Sequence, residues 1–273
     1  MPGRAKSAHN EAEQNRGERF AFGANWSRFL AIVDESRIRQ AERSLCTMLG
    51  VDGLHHKRFL DVGSGSGLFS LAARRLGATV HSFDYDPESV ACTEELKRRY
   101  FPDDPNWTIE AGSALDEAYL ESLGRFDVVY SWGVLHHTGQ MQKAFACVTP
   151  TVASAGLLFI AIYNDQGLAS RYWACVKRAY NKSALARIAL IALHAPYLVG
   201  ARWVVRRITG RGALDRGMSL WHDAIDWLGG YPFEVAKPEV VLDAFRARGF
   251  TLERLKTCGG KMGCNEFVFR KRS

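Results

Sequence analysis

An apolar run near residue 60 ends in a turn whose residue types suit ligand binding. The stretch Phe59 to Leu71 reads FLDVGSGSGLFSL, in which one aspartate precedes three glycines: Asp61, Gly63, Gly65 and Gly67. Glycine has no side chain, so such a turn lets the backbone approach a ligand closely. Leu68 stands where the dinucleotide pattern G-x-G-x-x-G needs its third glycine, and the lysine of a P-loop is absent. We therefore expect a nucleotide-like ligand that uses neither pattern.

Two adjacent histidines have the chemistry of a general base, because histidine titrates near neutral pH. His136 and His137 close the segment SWGVLHH. Adjacent residues on a helix point in different directions, so one of the two is expected to face a site. The other interpretation makes both of them rim or capping residues. No third ligand with suitable spacing accompanies them, so no metal site is predicted.

A second candidate base lies in the segment MSLWHDAIDWLGGYPFE, residues 218–234. Asp226 follows His222 by four residues, within reach on a helix surface. A carboxylate that orients an imidazole is a known base arrangement. Trp221 and Asp223 stand beside this pair, and these two residues and Asp226 are candidates for substrate contact. The alternative is an amphipathic helix whose polar residues lie in water.

Composition limits the class of protein. The 273 residues are 47% hydrophobic and 24% charged, as in soluble globular chains, with a net charge of +7. Six cysteines show no C-x-x-C spacing, and the polar start has no apolar core like that of a signal peptide, so reduced thiols and a cytoplasmic location are expected. The longest uncharged apolar run of the back half, 188–201, is shorter than the roughly 17 residues that a spanning helix needs.

The elements that must position these residues alternate along the chain. Predicted strands begin at Arg58, Thr79, Trp107, Phe126 and Gly156, and helices separate most of them. Three of the strands are nearly continuous apolar runs, as expected for a parallel sheet covered on both faces. The order predicts an α/β fold with a doubly wound, mostly parallel sheet. A helix near 238–248 and two late strands predict an antiparallel hairpin at the sheet edge.

The same pattern divides the chain into five segments. Their predicted roles are a disordered tail at 1–19, an N-terminal helical lid at 20–50, a ligand-binding core at 51–166, a helical insert that caps the acceptor site at 167–236, and the completion of the core sheet at 237–273. In a doubly wound sheet, ligands bind beyond the carboxyl ends of the strands. The glycine turn and the two histidines follow such ends.

The motifs D-x-G-x-G-x-G at Asp61 and FDVVYSWGVLHH at Phe126 resemble those of class I S-adenosylmethionine-dependent methyltransferases, closest to the quinol and small-molecule O-methylase branch. The resemblance runs from Phe59 to Asn164. It implies a Rossmann-like fold and S-adenosylmethionine as cofactor, with Asp84 on the ribose hydroxyls and Ser113-Ala114 at the adenine edge. The residues implied for cofactor binding are Asp61, Gly63, Ser64, Gly65, Gly67, Asp84, Tyr85, Ser113, Ala114 and Trp132.

Other residues near the predicted mouth are candidates for acceptor binding. Tyr163 and Asn164 end the fifth strand, and Trp26 lies in the N-terminal lid. Each has a structural alternative: strand termination for the first two and core packing for the third. Asp61 likewise either contacts the cofactor or braces the glycine turn from below.

The positive charge is concentrated in the insert. Residues 168–212 contain nine Lys or Arg and no Asp or Glu, interleaved with aromatic and aliphatic residues. Three interpretations stay open: a cap whose apolar face packs on the domain and whose basic face is solvated, peripheral contact with an anionic membrane at its inner face, and nucleic-acid binding. No recognised RNA module supports the third.

Together these features predict methyl transfer to a small-molecule or lipid-like acceptor, by in-line displacement with a histidine base. Oxygen is the preferred acceptor atom, and nitrogen and sulfur stay open. The alternatives are an RNA or protein methyltransferase that docks through the basic insert, and a non-catalytic cofactor-binding module. The chain is expected to be a monomer or a homodimer.

Overall fold

A computed structural model describes residues 13, 17–201 and 220–273. Two helices open this part of the chain, α1 (Phe22–Leu30) and α2 (Glu35–Leu49). The carboxylate of Asp34 accepts a hydrogen bond from the backbone N–H of Arg37 and starts α2, and Gly50 ends it at a φ of 69°. The sequence predicted one helical region from Phe20 to Leu49, and this cap divides it in two.

Seven strands form one sheet in the order β3-β2-β1-β4-β5-β7-β6. The first five strands of the chain are parallel, and β7 pairs antiparallel with β5 and β6. The doubly wound α/β fold and the edge hairpin predicted from the sequence are thus confirmed. The strands are β1 (Arg58–Val62), β2 (Thr79–Asp84), β3 (Trp107–Ala111), β4 (Phe126–Trp132), β5 (Val152–Tyr163), β6 (Phe250–Lys256) and β7 (Cys264–Lys271).

Helices cover both faces of the sheet because each strand that is buried on both sides needs apolar partners above and below. Those of the core are α3 (Leu68–Arg75), α4 (Pro87–Tyr100), α5 (Glu117–Ser122) and α6 (Met141–Val148). The predicted cap of α4 is present: Asp86 accepts from the N–H of Glu88, and Pro87 takes the first helical position. One apolar core contains Phe59 and Leu71, and the other contains Leu60 and Phe145.

The insert consists of α7 (Leu168–Lys182), α8 (Ala184–Ala195), one turn of π-helix at Pro196–Ala201, and α9 (Leu220–Gly229), before α10 (Pro238–Arg246) returns to the sheet. Trp173, Val176 and Tyr180 of α7 are buried in a third cluster with Trp227 of α9. Helix α7 thus has the arrangement of the first interpretation of the insert, a cap whose apolar face packs on the domain. Residues 202–219 of the insert lie outside the described residues.

Part of the predicted disordered tail is described. Glu13 and Gly17–Arg19 have defined positions, and Arg19 is tied to Glu13 by an ion pair of 2.8 Å. The remaining tail residues lie outside the described part. None of the six cysteines is paired in a disulfide. Among the described helices, none is both long and apolar enough to cross a bilayer.

Candidate functional site

The glycine turn between β1 and α3 is held in a backbone shape that only glycine adopts easily. The φ angles of Gly63, Gly65 and Gly67 are 81°, 55° and 78°. A side chain on Gly65 would meet the indole of Trp26 at 3.0 Å, so the lid packs directly on the turn. A side chain on Gly67 would lie 2.8 Å from the Cα of Thr93.

Gly67 thus departs from its predicted role. It is absent from the residues that line the cavity described below, and its place in the turn serves close packing of α3 on α4. The first two glycines do line that cavity. The three glycines of the motif therefore divide into two that shape the ligand wall and one that brings two helices together.

Asp84 closes β2 beside this turn. Its carboxylate accepts hydrogen bonds from the backbone N–H of Gly65 on one oxygen and of Asp86 on the other, both at 2.9 Å. Burial raises the pKa of Asp84 to about 6, and these backbone donors act against the rise. The carboxylate is therefore fixed in orientation at the cavity wall, where further hydroxyl donors could reach its remaining lone pairs.

Asp61 lies beneath the turn at the end of a buried chain of hydrogen bonds. The indole N–H of Trp107 donates to Ser82, Ser82 donates to Ser70, and Ser70 donates to Asp61 at 2.9, 2.8 and 2.5 Å. Burial raises the pKa of Asp61 to about 7, and the hydrogen bond from Ser70 opposes this. Asp61 is thus tied to Ser70 of α3, and it also reaches the cavity wall. Its contact with the cofactor stays a prediction.

One cavity of about 550 Å³ joins the carboxyl ends of the parallel strands, within the usual size range of small-molecule sites. Most of the residues predicted from the sequence line it. They are Trp26, Asp61, Gly63, Ser64, Gly65, Asp84, Tyr85, Ser113, Ala114, Trp132, His137 and Tyr163.

Only one of the two adjacent histidines lines the cavity, as expected for neighbouring residues on a helix. The Nδ1–H of His137 donates to the carbonyl of Pro232 at 2.6 Å, which leaves Nε2 as the basic nitrogen, and His137 lines the cavity. His136 is fully buried 4.1 Å from the ring of Tyr163 and is not among the lining residues. Of these two predicted catalytic candidates, His137 therefore remains and His136 does not.

Both imidazoles are held neutral. Burial and then the charge of Lys177 lower the pKa of His137 to about 3, against the hydrogen bond to Pro232. Burial, His137 and Lys177 also push the pKa of His136 well below its usual value. Lys177 is itself fully buried, donates to the carbonyl of Trp227 and lies 4.6 Å above the indole of that residue.

The remaining acceptor candidates have different outcomes. Asn164 is not among the lining residues: its side chain accepts from the amide of Asn265 at 3.0 Å, and its N–H donates to Gly263. Its predicted contact with the acceptor has no geometric support. The side chains of Trp221, His222, Asp223 and Asp226 lie outside the described part of α9. The alternative base therefore stays a prediction.

The N-terminal segment contributes lining residues that sequence reasoning missed. The guanidinium of Arg19 donates to the carbonyl of His137 at 3.2 Å and stacks 4.8 Å from the ring centre of Tyr85. Phe20 packs where a side chain on Gly229 would stand, so this segment bridges β2 and α9. The other missed lining residues include Glu13, Phe22, Trp227, Met262 and Cys264. Of these residues, only Trp227 had a signal in the sequence, because it lies in the candidate segment 218–234.

The residues present fit S-adenosylmethionine better than a phosphate ligand. The carboxylates of Asp61 and Asp84 line the cavity at the glycine turn, where they suit a cationic ligand with ribose hydroxyls, and Leu68 stands where a dinucleotide turn needs its third glycine. Ala114 and Leu115 offer an apolar edge for a base. No group of His, Cys, Asp or Glu among the described residues could hold a metal ion.

Comparison with known proteins identifies the family. The profile of the family described as methyltransferase domain matches residues 33–195, more than half of the chain. A ubiquinone biosynthesis O-methyltransferase of Brucella melitensis biotype 2 is 28% identical over 135 residues, which are 50% of this chain and 51% of that protein. The chain therefore spans about half the length of the curated relatives it matches first.

Solved structures share the fold. Magnesium protoporphyrin IX methyltransferase of Synechocystis PCC 6803 with bound SAH superimposes with a TM-score of 0.55 at 12% identity, over 91% of this chain and 94% of that one. The N-methyltransferase NodS of Bradyrhizobium japonicum WM9, in complex with S-adenosyl-l-homocysteine, gives 0.52 at 15% identity, over 93% and 100%. The class and cofactor expected from the sequence are thereby confirmed, and the chain belongs to the methyltransferase-domain family of S-adenosylmethionine-dependent enzymes.

Proposed function

We propose that this protein methylates an oxygen atom of a small, lipid-like acceptor, and that the acceptor hydroxyl is acidic, as in a phenol or a quinol. The observation that carries the proposal is a single cavity with two unlike ends. Polar groups around Asp84 occupy one end, and the rings of Tyr163 and Trp227, 5.0 Å apart, occupy the other. An apolar acceptor with one reactive hydroxyl matches the second end.

The donor end would hold the cofactor. Asp84 would accept from the ribose hydroxyls, Ser113 and Ala114 would border the adenine, and the N–H groups of the glycine turn would face the amino-acid part. When bound, S-adenosylmethionine supplies a methyl group on a positively charged sulfur. The remaining work of the chain is to align the acceptor oxygen with that methyl group and to exclude water.

The aromatic end would align the acceptor. The Nε2 of His137 would accept a hydrogen bond from the acceptor hydroxyl, since Nδ1 donates to Pro232. A pKa near 3 keeps this imidazole neutral at physiological pH and also makes it a weak proton acceptor. A weak base suits a hydroxyl that loses its proton readily, because a phenol has a pKa of about 10. This is the reason to prefer a phenol over a sugar alcohol.

Neither rival function gains support from a specific contact. A nucleic-acid interface is expected to be polar and strongly basic, whereas α8 of the insert exposes leucine and isoleucine. A non-catalytic module predicts no acceptor-sized space beyond the cofactor end, whereas the aromatic end extends the cavity toward Trp227.

The test is a screen with labelled S-adenosylmethionine against quinols, simple phenols, thiols, amines, sugars and total RNA. We expect label in quinols or phenols and none in sugars or RNA. Donor binding is measured in parallel by calorimetry. Transfer to RNA alone, or to amines alone, would contradict the proposed acceptor class, and donor binding without transfer to any acceptor would support the non-catalytic module.

A further inference from the structure

Helix α8 exposes several of its apolar residues. His194 is its one buried residue, and Leu190 and Ile191 pack against the third cluster. Leu185, Ile188 and Leu193 of the same helix are 80%, 67% and 69% exposed. At about 100° per residue they fall within one arc of roughly 140° of the helix. The helix is thus apolar on two sides, one against the third cluster and the other in solvent.

Helix α7 extends the same surface. The hydroxyl of Tyr172 is 2.8 Å from the Nε2 of His194, so this part of α7 lies against the end of α8. Tyr172 itself is half exposed, and Leu168, one turn earlier, is almost fully exposed. Tyr197 follows α8 and is also exposed. We call these six residues the cap patch: Leu168, Tyr172, Leu185, Ile188, Leu193 and Tyr197.

The charged residues of the segment that carries the cap patch have one sign. Residues 168–201 contain five Lys or Arg and no Asp or Glu. Four of these cations are exposed: Arg171, Arg178, Lys182 and Arg187. An apolar surface bordered by cations complements an anionic lipid bilayer, in which apolar side chains enter the acyl boundary and cations meet the headgroups.

We propose that the cap patch docks this protein on an anionic phospholipid surface. The proposal rests on the proposed function in so far as it explains how a lipid-like acceptor is reached. The buried side of α7 packs against Trp227, whose ring lies against Tyr163, and both of these line the cavity. The docked surface is thus about one helix diameter, roughly 10 Å, from the acceptor end.

A second copy of the chain fits this surface less well. A two-fold interface places the same patch on both sides. The exposed cations of one copy would then face those of the other, with no acidic residue between 168 and 201 to pair with them. Like charges in contact disfavour such an interface, whereas an anionic bilayer neutralises them.

The test is flotation of the full chain with vesicles of phosphatidylcholine alone, or of phosphatidylcholine with about 30% phosphatidylglycerol. We expect binding to the anionic vesicles, weak binding to the neutral ones, and release by high salt. The variant Leu185→Ser/Ile188→Ser/Leu193→Ser should lower the partition coefficient at least about tenfold, because it removes three inserted side chains. These positions are exposed, so the fold should tolerate the change.

A matched control removes apolar residues that are exposed elsewhere. Val240→Ser/Leu252→Ser/Leu255→Ser changes three such positions on α10 and β6 and should leave vesicle binding within about twofold of the original. Equal loss in both variants would show nonspecific adsorption and would overturn the proposal. So would unchanged binding by the cap-patch variant, or no binding by the original chain.

Three further outcomes distinguish lipid docking from a dimer interface and from the proposed function. If sedimentation shows a dimer that the cap-patch variant dissociates, and vesicles are not bound, the patch is an interface between copies and the lipid proposal is wrong. Turnover of a soluble phenol without vesicle binding contradicts the docking surface alone. Vesicle binding without turnover of any acceptor contradicts the proposed function alone.

Discussion

The two ends of the cavity are built in different ways. At the donor end, the main-chain N–H groups of Gly65 and Asp86 hold Asp84, and the side-chain hydroxyl of Ser70 holds Asp61. At the acceptor end, rings from β5, α9 and the N-terminal segment pack against one another and against His137. The first end is specified locally and the second by long-range packing, so the acceptor end can change without loss of the cofactor site.

Burial shifts the pKa values at the two ends of the cavity in opposite directions. It raises the pKa of Asp61 and Asp84 and lowers that of His136 and His137, because in each case it disfavours the charged form. Both ends are thus driven toward neutrality without ligand. A cationic ligand reverses this at the donor end, since it favours ionised carboxylates, whereas nothing comparable is expected at His137.

The largest effect should come from Asp84→Ala, which removes the fixed carboxylate. We expect donor binding to weaken by about 1.5–3 kcal/mol, the scale of hydrogen bonds to a charged group, and acceptor affinity to stay unchanged. Calorimetry with S-adenosylhomocysteine measures the first and KM for the acceptor the second. Asp34→Ala, which removes a helix-capping carboxylate that does not line the cavity, is the control. Equal donor affinity in Asp84→Ala and the original chain would remove Asp84 from the site.

A smaller effect, confined to the acceptor end, is expected for His137→Gln. Loss of a positioned base costs about a hundredfold or more in favourable cases, and the low pKa of His137 places it at about tenfold to a hundredfold in kcat. Donor affinity should not change, because the side chain lies at the other end. Steady-state kinetics beside calorimetry separates the two. A fall in donor affinity that matches the fall in kcat would mean that the two ends are not independent.

The smallest effect is the pH dependence of donor affinity. Asp84 has a pKa of about 6 without ligand, so lowering the pH from 8 to 5 protonates it and removes the charge that favours a cationic donor. Affinity should then fall by up to about tenfold per pH unit below the pKa for one such group. Calorimetry across this range tests it, with Asp84→Asn expected to show a flatter profile. A rise in donor affinity toward pH 5 would contradict this prediction.

Much of the donor end was predictable because its signals are local. The alternation of apolar runs with helices, the Asp86-Pro87 cap and the glycine turn each occupy a few consecutive residues. Parallel strands then bring their carboxyl ends to one edge, so Asp84, Ser113 and Trp132 meet there without further information. Gly67 was assigned to the ligand wall because a motif does not distinguish a glycine needed for a ligand from one needed for a neighbouring helix.

The residues that were missed have no such local signal. Glu13 and Arg19 stand in a polar stretch, and their contacts with Tyr85 and His137 arise only when the segment folds across the cavity. The sequence likewise did not show which side of α8 faces the solvent. A helical period shows that Leu185, Ile188 and Leu193 share a face, but it does not say whether that face meets the core or the solvent.

The sequence by itself determined the parallel sheet, since this follows from short-range patterns and the handedness of strand–helix–strand units. The resemblance of its motifs to a known family implied the class of cofactor and the residues expected at the donor end. Only the tertiary structure decided that His137 and not His136 reaches the cavity, that Arg19 joins it, and that the apolar face of α8 points outward. These outcomes depend on how distant segments pack against one another. Packing of that kind is a property of the whole chain, and no single stretch of it carries the information.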